Sequence, residues 1–363
     1  MKITGTQLFW ILFTVEVVMA VWLRISPAIE VSRQDAWISM LVAGMIGAAI
    51  TFLVVCLSLQ HPGQSLAVFS RKLLGKWVGG LLVLPYLASW YILAGDVLRT
   101  FADFVHLILL DRTPLWVIMF LMAAMMTVMT GAIGMNGIAR FCEIAGPLTL
   151  ITLILSFLLN IGNVNLSNLF PVIADTGWKN ILKAAYPPAS FFGESFLLLV
   201  IVSMVQRSDK ALLRSMTSII TIVGIVLVST IMVLFVFGPN VSAKMRFPYF
   251  TLVRSINILD FIQNVDIFVL FIWVFGVCAK ISFYLFLTSF EMANCLGLKN
   301  WRKVVWFSAP LIVAIAVAIP NETAIEMLQK LWRLIVIPLC GIAIPMLLLL
   351  ATAISKRREA RRL

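Results

Sequence analysis

Long runs of apolar residues, separated by short polar segments, dominate the sequence. A run of about 18 or more apolar residues is long enough to cross the hydrocarbon core of a bilayer as a helix. The pattern therefore predicts an all-α integral membrane protein with ten transmembrane helices. These helices are expected at residues 5–27, 36–59, 77–109, 114–131, 143–161, 185–206, 212–238, 258–289, 303–320 and 331–354.

The sixth stretch carries residues that a regular transmembrane helix disfavours. Its sequence, AAYPPASFFGESFLLLVIVSMV over residues 184–205, places two prolines, Gly193 and Glu194 in its first half. Proline removes a backbone donor and glycine tolerates unwound dihedral angles, so we expect an interruption near Phe192 and Gly193. Irregular backbone at that depth is tolerated only against protein or a water-filled cavity, and an ionisable group there indicates function. The stretch therefore predicts a polar site in the middle of the membrane.

Composition and charge support a membrane protein and give it an orientation. The chain is 62% hydrophobic and 12% charged, with a mean hydropathy of +1.05, which excludes a soluble fold. The net charge of +12 comes from basic loops and a basic tail, so we assign it to membrane orientation and not to nucleic-acid binding. An even number of spans, with most basic residues on the side of the termini, predicts that both termini are cytoplasmic.

The order of the spans indicates an internal duplication within a single polytopic domain, residues 1–363. Spans 3 and 8 are unusually long and carry charges, and spans 1 and 6 each hold an acid near the middle. A shift of five spans superposes these features, and because five is odd the second repeat would be inverted. We expect repeat 1 at about 5–161, repeat 2 at about 185–354, and a basic cytoplasmic tail at 355–363.

Four runs of the chain carry a family resemblance: ISPAIE from Ile25, ARFCEIAGP from Ala139, PPASFFGESF from Pro187, and RFPYFTLVRSINILDFIQNVDIFVLFIWVFGVCAKISFYLF from Arg246. They resemble the B subunit of bacterial spore germinant receptors, the spore germination permease family of the amino acid-polyamine-organocation superfamily. The resemblance implies the five-plus-five inverted-repeat fold of the bacterial leucine transporter, with interrupted helices 1 and 6. At the helix 1 break, where relatives usually have glycine, this chain reads FTVEVVMAVW around Glu16.

The resemblance also implies a function and partners. It implies a nutrient-sensing subunit that binds a small germinant, an amino acid being the first candidate, at a mid-membrane site and triggers germination. A and C receptor subunits and the lipid bilayer are the implied partners, in the spore inner membrane or the cell membrane. A proton-coupled amino acid transporter would use the same site, and a structural scaffold would leave it unused. We interpret the chain as the receptor subunit. Neighbouring genes for A and C subunits would favour this interpretation over a transporter.

Ionisable groups inside the spans are the main candidates for the site. Each charge at the bilayer centre costs roughly 2.5 to 3.5 kcal/mol on insertion scales, so such groups pair, lose their charge or face water. Glu194 lies beside the predicted break, and Glu16 lies at the midpoint of helix 1. The predicted ligand-binding residues are Thr14, Glu16, Tyr91, Phe191, Phe192, Gly193, Glu194 and Phe271, the last chosen on depth alone.

A buried lysine in span 8 requires a partner. Lys280 lies fourteen residues after Asp266, about 21 Å along a helix, so these two groups cannot pair. Helices 1 and 8 of the implied fold flank a cation site in sodium-coupled relatives. By that analogy the Lys280 ammonium replaces the metal ion, with Glu16 as its candidate partner.

A second charged cluster lies in span 3. Asp96, Arg99 and Asp103 fall at positions i, i+3 and i+7, on one helix face, so we interpret them as a structural ion network.

The sequence gives no indication of an enzyme. His61 and His106 lie far apart without a neighbouring nucleophile, and no phosphate-binding loop or metal-ligand spacing is present. The five cysteines show no C-x-x-C spacing, so we expect neither a disulfide framework nor a zinc site. We therefore predict no catalytic residues, no cofactor and no metal.

Overall fold

The computed structural model describes residues 2–23, 25–206, 208–256 and 265–360, and α-helices account for most of them. The α-helices are α1 Gly5–Leu23, α2 Ser26–Ser32, α3 Ala36–Leu59, α4 Leu66–Leu74, α5 Lys76–Leu81, α6 Leu84–Ile108, α7 Leu115–Val128, α8 Gly134–Leu159, α9 Gly177–Phe192, α10 Leu198–Ile201, α11 Ala211–Ser242, α12 Pro248–Arg254, α13 Val265–Leu296, α14 Arg302–Ala318, α15 Glu322–Leu331 and α16 Ile344–Ala360. Two π-helical segments, Met129–Ile133 and Trp332–Ala343, join α7 to α8 and α15 to α16.

Within the described residues, each predicted span falls largely on helix; residues 258–264, where the eighth span was expected to begin, lie outside them. The number of spans stays a prediction. Within the described residues, eight helical stretches are long and apolar enough to cross a membrane. One of them, Leu115–Leu159, covers two predicted spans, and Gly134 divides it with a backbone φ of +67°. At 45 residues it would be about 68 Å long if it were straight, which is more than twice the hydrocarbon thickness. The helix α14, with seventeen residues, is slightly shorter than each of these eight stretches.

The first helix lies at the centre of the molecule. Every residue from Ile11 to Trp22 is buried, as expected for a helix that is apolar around its whole circumference. A Cβ added at Gly276 of α13 would lie 2.3 Å from Val18 Cγ2, so α1 and α13 approach closely. Trp273 of α13 also donates a hydrogen bond from Nε1 to the Val18 carbonyl, at 3.0 Å. Contacts with α8 and α11 enclose the remaining faces of α1.

Helix 1 is divided, but not around Glu16, where the family resemblance implied the break. The helix α1 is continuous through Glu16 as far as Leu23, and the short helix α2 begins at Ser26. The division therefore lies more than one helical turn beyond Glu16. The backbone carbonyls around Glu16 belong to a regular helix.

The sixth predicted span, 185–206, falls on the helical stretch Gly177–Met204, which we call helix 6 and which changes its winding within the core. It is α-helical to Phe192, forms a 3₁₀-helix over Gly193–Leu197, and then continues as the short α10. The predicted interruption at Gly193 is thus confirmed, but the expected unwound dihedrals are wrong. Gly193 has φ −77° and ψ −11°, so the helix tightens at this point and does not unwind.

Small residues allow close packing around this change in winding. A Cβ at Gly47 of α3 would lie 2.2 Å from Phe192 Cβ, so α3 lies directly against helix 6. All residues from Pro187 to Val202 are buried, which satisfies the requirement that irregular backbone at membrane depth face protein.

The end of helix 6 is held by the beginning of the chain. Ile3 and Val205 form an isolated parallel bridge. The Ile3 amide donates to the Met204 carbonyl at 2.9 Å, and the Gln206 amide donates to the Ile3 carbonyl at 2.9 Å. The N-terminal segment therefore caps the last turn of helix 6.

Candidate functional site

A buried ion pair joins helix 6 to α13 beside the change in winding. Lys280 Nζ lies 2.9 Å from Glu194 Oε2, and Tyr284 donates its hydroxyl to the same oxygen at 3.1 Å. Lys280 is 1% exposed and Glu194 is 3% exposed. Lys280 and Tyr284 are four residues apart on α13, so their side chains lie on one helix face. Together they present a cation and a hydroxyl donor to the Glu194 carboxylate.

Glu16 lies next to this pair but does not take part in its hydrogen bonds. The side chain is 2% exposed, and neither of its carboxyl oxygens has a hydrogen-bond partner among the described residues. It lies within electrostatic range of both Glu194 and Lys280. The prediction that Lys280 pairs with Glu16 is therefore corrected. The ammonium reaches Glu194 on helix 6 instead, at 2.9 Å.

The Glu194 end of the pair faces a small cavity between α6, helix 6 and the α15 region. Its volume is about 10 Å³, which is room for one water molecule. Asp96, Glu194, Gln329 and Trp332 line it, with apolar contacts from Ile92, Leu93 and Leu328. Glu194 is therefore the member of the pair that small polar species can approach from this side.

Gln329 also lines a larger cavity, which we call the vestibule and which has a volume of about 240 Å³. It is lined by Ser26, Pro27, Glu30, Thr100, Asp103, Met245, Arg246, Phe247, Glu322, Ile325, Glu326 and Gln329. Arg246 and Glu322, which form an ion pair, both line it. A single side chain, that of Gln329, therefore borders both the charged vestibule and the small cavity beside Glu194.

Several predicted residues lie in or beside the same region. Phe191, Phe192 and Gly193 are buried directly before Glu194 on helix 6. Thr14 is buried on α1, half a turn before Glu16, where a Cβ at Gly146 would lie 3.0 Å from its hydroxyl oxygen. Of these residues, Glu194 lines the small cavity, whereas Thr14 faces α8, Phe192 faces Gly47 of α3, and Gly193 faces Ile50 and Ile337.

Two predicted residues lie elsewhere. Tyr91 shares a 2.6 Å hydrogen bond with Ser308 and donates to Met292 Sδ at 3.3 Å, twelve residues beyond Lys280 on α13. Phe271 is 64% exposed on the outer surface of α13, so the prediction that it lines the site is corrected. Phe271 was chosen from its depth in the membrane alone, but the direction in which a side chain faces depends on how the helix is rotated about its own axis.

The charge ladder predicted in span 3 is divided between two places. Arg99 pairs with Asp103 at 3.1 Å, and Arg99 also donates to the Pro320 carbonyl at 3.4 Å. Asp96, one turn earlier, lines the small cavity next to Glu194.

Tyr284, Gln329 and Trp332 contribute to the site but were not predicted. Tyr284 follows Lys280 by four residues, and that spacing could have identified it. Gln329 and Trp332 come from a distant part of the chain, and no local pattern links them to Glu194. Trp332 donates its indole N–H to the Ser190 carbonyl at 3.3 Å, just before the interruption.

The sequence is similar to known spore germination proteins over most of its length. The family model described as spore germination protein matches residues 2–327. Spore germination protein GerQB of Bacillus cereus is 26% identical over 364 residues, covering 99% of this chain and 98% of the relative. Spore germination protein YndE of Bacillus subtilis (strain 168) is 24% identical over 336 residues, covering 91% and 90%. Spore germination protein KB of the same organism is 24% identical over 318 residues, covering 84% and 82%.

The fold is similar to that of solved membrane transporters. MhsT, solved in complex with L-phenylalanine, superposes with a TM-score of 0.68 at 13% identity, covering 94% of this chain and 88% of MhsT. The nucleobase-cation-symport-1 transporter Mhp1, solved with bromovinylhydantoin bound, superposes with a TM-score of 0.61 at 15% identity, covering 90% and 74%. At these identities the likeness concerns the fold alone. The chain therefore belongs to the spore germination protein family and is a multi-pass membrane protein with the leucine-transporter-like fold.

Proposed function

We propose that this chain is the nutrient-sensing subunit of a spore germinant receptor and that it binds a small germinant, an amino acid, beside Glu194. The observation that carries the proposal is the Lys280–Glu194 ion pair, buried at the interruption of helix 6 and next to a water-sized cavity. Family membership supports a role in germination, and the relatives' names describe germination proteins.

The ion pair provides a simple way to detect an ammonium group. Glu194 is already neutralised by Lys280 in this structure. A germinant whose ammonium approaches Glu194 from the side of the small cavity, which must widen to admit it, competes with Lys280 for the carboxylate. Phe191, Phe192 and Gly193, directly before Glu194 on helix 6, then form the wall beside the ligand, and Glu16 of helix 1 lies within electrostatic range of Glu194. A ligand shifts a conformational equilibrium only by its difference in affinity between the two states.

Release of Lys280 from Glu194 would provide this difference in ligand affinity between the two states. The freed ammonium turns toward Glu16, the other acid within its electrostatic range. The contact between α13 and helix 6 is then weakened, and the contact between α13 and α1 is strengthened. The germinant thereby changes the relative positions of the helices, which is the signal that the partner subunits receive.

The proposal includes a location and partners. Basic residues in the tail, among them Lys356 and Arg357, assign both termini to the cytoplasm. We place the protein in the spore inner membrane, in complex with A and C subunits of the receptor. Neither binding nor signalling requires a catalytic residue, and we propose that the chain is not an enzyme.

A proton-coupled amino acid transporter is the second candidate, since MhsT and Mhp1 are transporters of the same fold. The two functions differ in what crosses the membrane. Proteoliposomes containing the purified chain should not accumulate radiolabelled amino acids when a proton gradient is imposed. Accumulation that collapses with the gradient would favour the transporter.

A germination panel tests the receptor directly. Spores lacking the gene, and the same spores complemented with it, are exposed to single amino acids, and the loss of optical density is followed. We expect a response to a defined subset only in the complemented spores. Glu194→Gln should abolish that response, while Lys299→Gln, an exposed lysine in a loop, should leave it unchanged. A full response in the Glu194→Gln spores would remove this acid from the site.

A further inference from the structure

Within the part of the chain that the structure describes, the acid on helix 1 has no ion-pair or hydrogen-bond partner. Glu16 is 2% exposed, and its two oxygens receive no hydrogen bond from the described part of the chain. A buried carboxylate without donors is strongly disfavoured in its ionised form, and such a group is neutral or neutralised in practice. Glu194 holds the Lys280 ammonium at 2.9 Å, so the cluster contains two acids and one cation. One positive charge is missing.

The groups that face α1 from the elements packed around it do not supply that charge. Helix 6 contributes Glu194, and α13 contributes Lys280 and Tyr284, both directed to Glu194. On α8, Cys142 lies beside Thr14, and Glu143 accepts a hydrogen bond from Gln7. Arg214 of α11 and Tyr249 of α12 contact α1 at its two ends, beside Gly5 and Trp22.

The local backbone argues against a metal ion as the missing cation. Transporters of this architecture coordinate sodium with carbonyls released by unwound helices. Around Glu16 the helix α1 is regular, so its carbonyls are engaged in helical hydrogen bonds. A hard metal cation needs several oxygen ligands, whereas Thr14 and Ser195 each offer one hydroxyl oxygen without a partner among the described residues, and Thr14 faces α8. A proton needs neither a cavity nor additional ligands.

We propose that Glu16 holds a proton in this structure and that this proton keeps Lys280 paired with Glu194. Loss of the proton breaks the Glu16 O–H bond and delivers the proton to water. The ionised Glu16 then competes with Glu194 for the single ammonium. The link to germinant binding rests on the proposed function, because a freed Glu194 is available to the ammonium of the ligand. The protonation of Glu16 does not depend on that function.

Infrared difference spectroscopy of the purified chain in detergent tests the proton directly. The wild type should show the C=O band of a buried, protonated carboxyl group, shifted by exchange into D₂O. Glu16→Gln should lack this band, and the exposed loop variant Asp209→Asn should retain it. Absence of the band from the wild type, or its persistence in Glu16→Gln, would overturn the proposal.

Stability provides a second readout. Glutamine has the shape and neutrality of a protonated glutamate, so Glu16→Gln should unfold at the wild-type temperature within error. Replacing sodium chloride with choline chloride should leave the unfolding temperatures of the wild type and of Glu16→Gln unchanged. A Glu16→Gln protein that fails to fold, or stabilisation by sodium that this variant loses, would overturn the proposal and favour an ionised Glu16.

Spores separate this inference from the proposed function. If the chain is the receptor, the germinant response of wild-type spores should strengthen as the external pH rises, because ionised Glu16 draws Lys280 away from Glu194. A response that does not change with external pH would overturn the coupling of the proton to the response. If no amino acid elicits a response from complemented wild-type spores, the receptor proposal fails while the infrared result for Glu16 still holds.

Discussion

The partner of Lys280 can be identified from unfolding measurements on four proteins: wild type, Lys280→Met, Glu194→Gln and the double variant. Removing one member of a buried ion pair leaves an uncompensated charge and typically costs about 3–5 kcal/mol. Both side chains are nearly inaccessible and joined at 2.9 Å, so each single variant should lose stability in this range. Simple addition would predict a loss of about 6–10 kcal/mol for the double variant.

The double variant should lose much less than that sum. It contains no buried charge at this site, the methionine and glutamine retain most of the volume, and Tyr284 still donates to the residue at position 194. Replacing a buried ion pair with neutral residues of similar size is often close to neutral. We therefore expect a coupling free energy of at least about 3 kcal/mol between the two positions.

Thermal unfolding in one detergent, monitored by tryptophan fluorescence, is a suitable assay. Unfolding of such proteins is often irreversible, so the variants are ranked by midpoints at one fixed scan rate. Lys299→Met, an exposed lysine, is the matched control and should leave the midpoint unchanged. A parallel cycle with Glu16→Gln in place of Glu194→Gln should be additive. Additive losses for Lys280 and Glu194, or strong coupling to Glu16, would refute the assigned pairing.

Three further predictions concern single positions. Tyr284→Phe removes a hydrogen bond to the charged Glu194 and should cost about 1.5–3 kcal/mol in the same unfolding assay; an unchanged midpoint would show that this bond contributes nothing. Gly193→Leu should lower stability by about 1–3 kcal/mol and abolish the germinant response, because a Cβ there would lie 3.1 Å from Ile337 Cγ2; a normal dose response would exclude this wall as the site. A reporter that requires the reducing cytoplasm should be active when fused after Lys356, and activity only outside would contradict the assigned orientation.

Apolar segment length and helix-breaking residues were sufficient to predict the helices and the interruption of helix 6. The second predicted span, 36–59, coincides with α3, because length and polarity alone determine where such a helix lies. Two prolines and Gly193 likewise located the change in winding. The direction of that change could not be read from the sequence, since glycine accommodates unwound and tightened backbone equally.

The contacts of single side chains required the three-dimensional arrangement. The helix α13 is apolar on nearly all sides, so its sequence does not indicate which face is buried. That Phe271 faces outward and Lys280 inward could therefore not be predicted. The partner of Lys280 is 86 residues away in the chain, and only the packing of helix 6 against α13 selects Glu194 over Glu16. Tyr91 was predicted by depth, and its hydrogen bond to Ser308 depends on a neighbouring helix that depth does not specify.

The hydrogen bonds at Ile3 have a practical consequence for anyone who labels or tags this protein. Ile3 lies against the last turn of helix 6, so a bulky fusion placed directly before it without a spacer would disturb its hydrogen bonds to Met204 and Gln206. The same contact offers an opportunity. A fluorophore at Lys2, which is exposed, would report the movement of the end of helix 6 without any substitution inside the membrane.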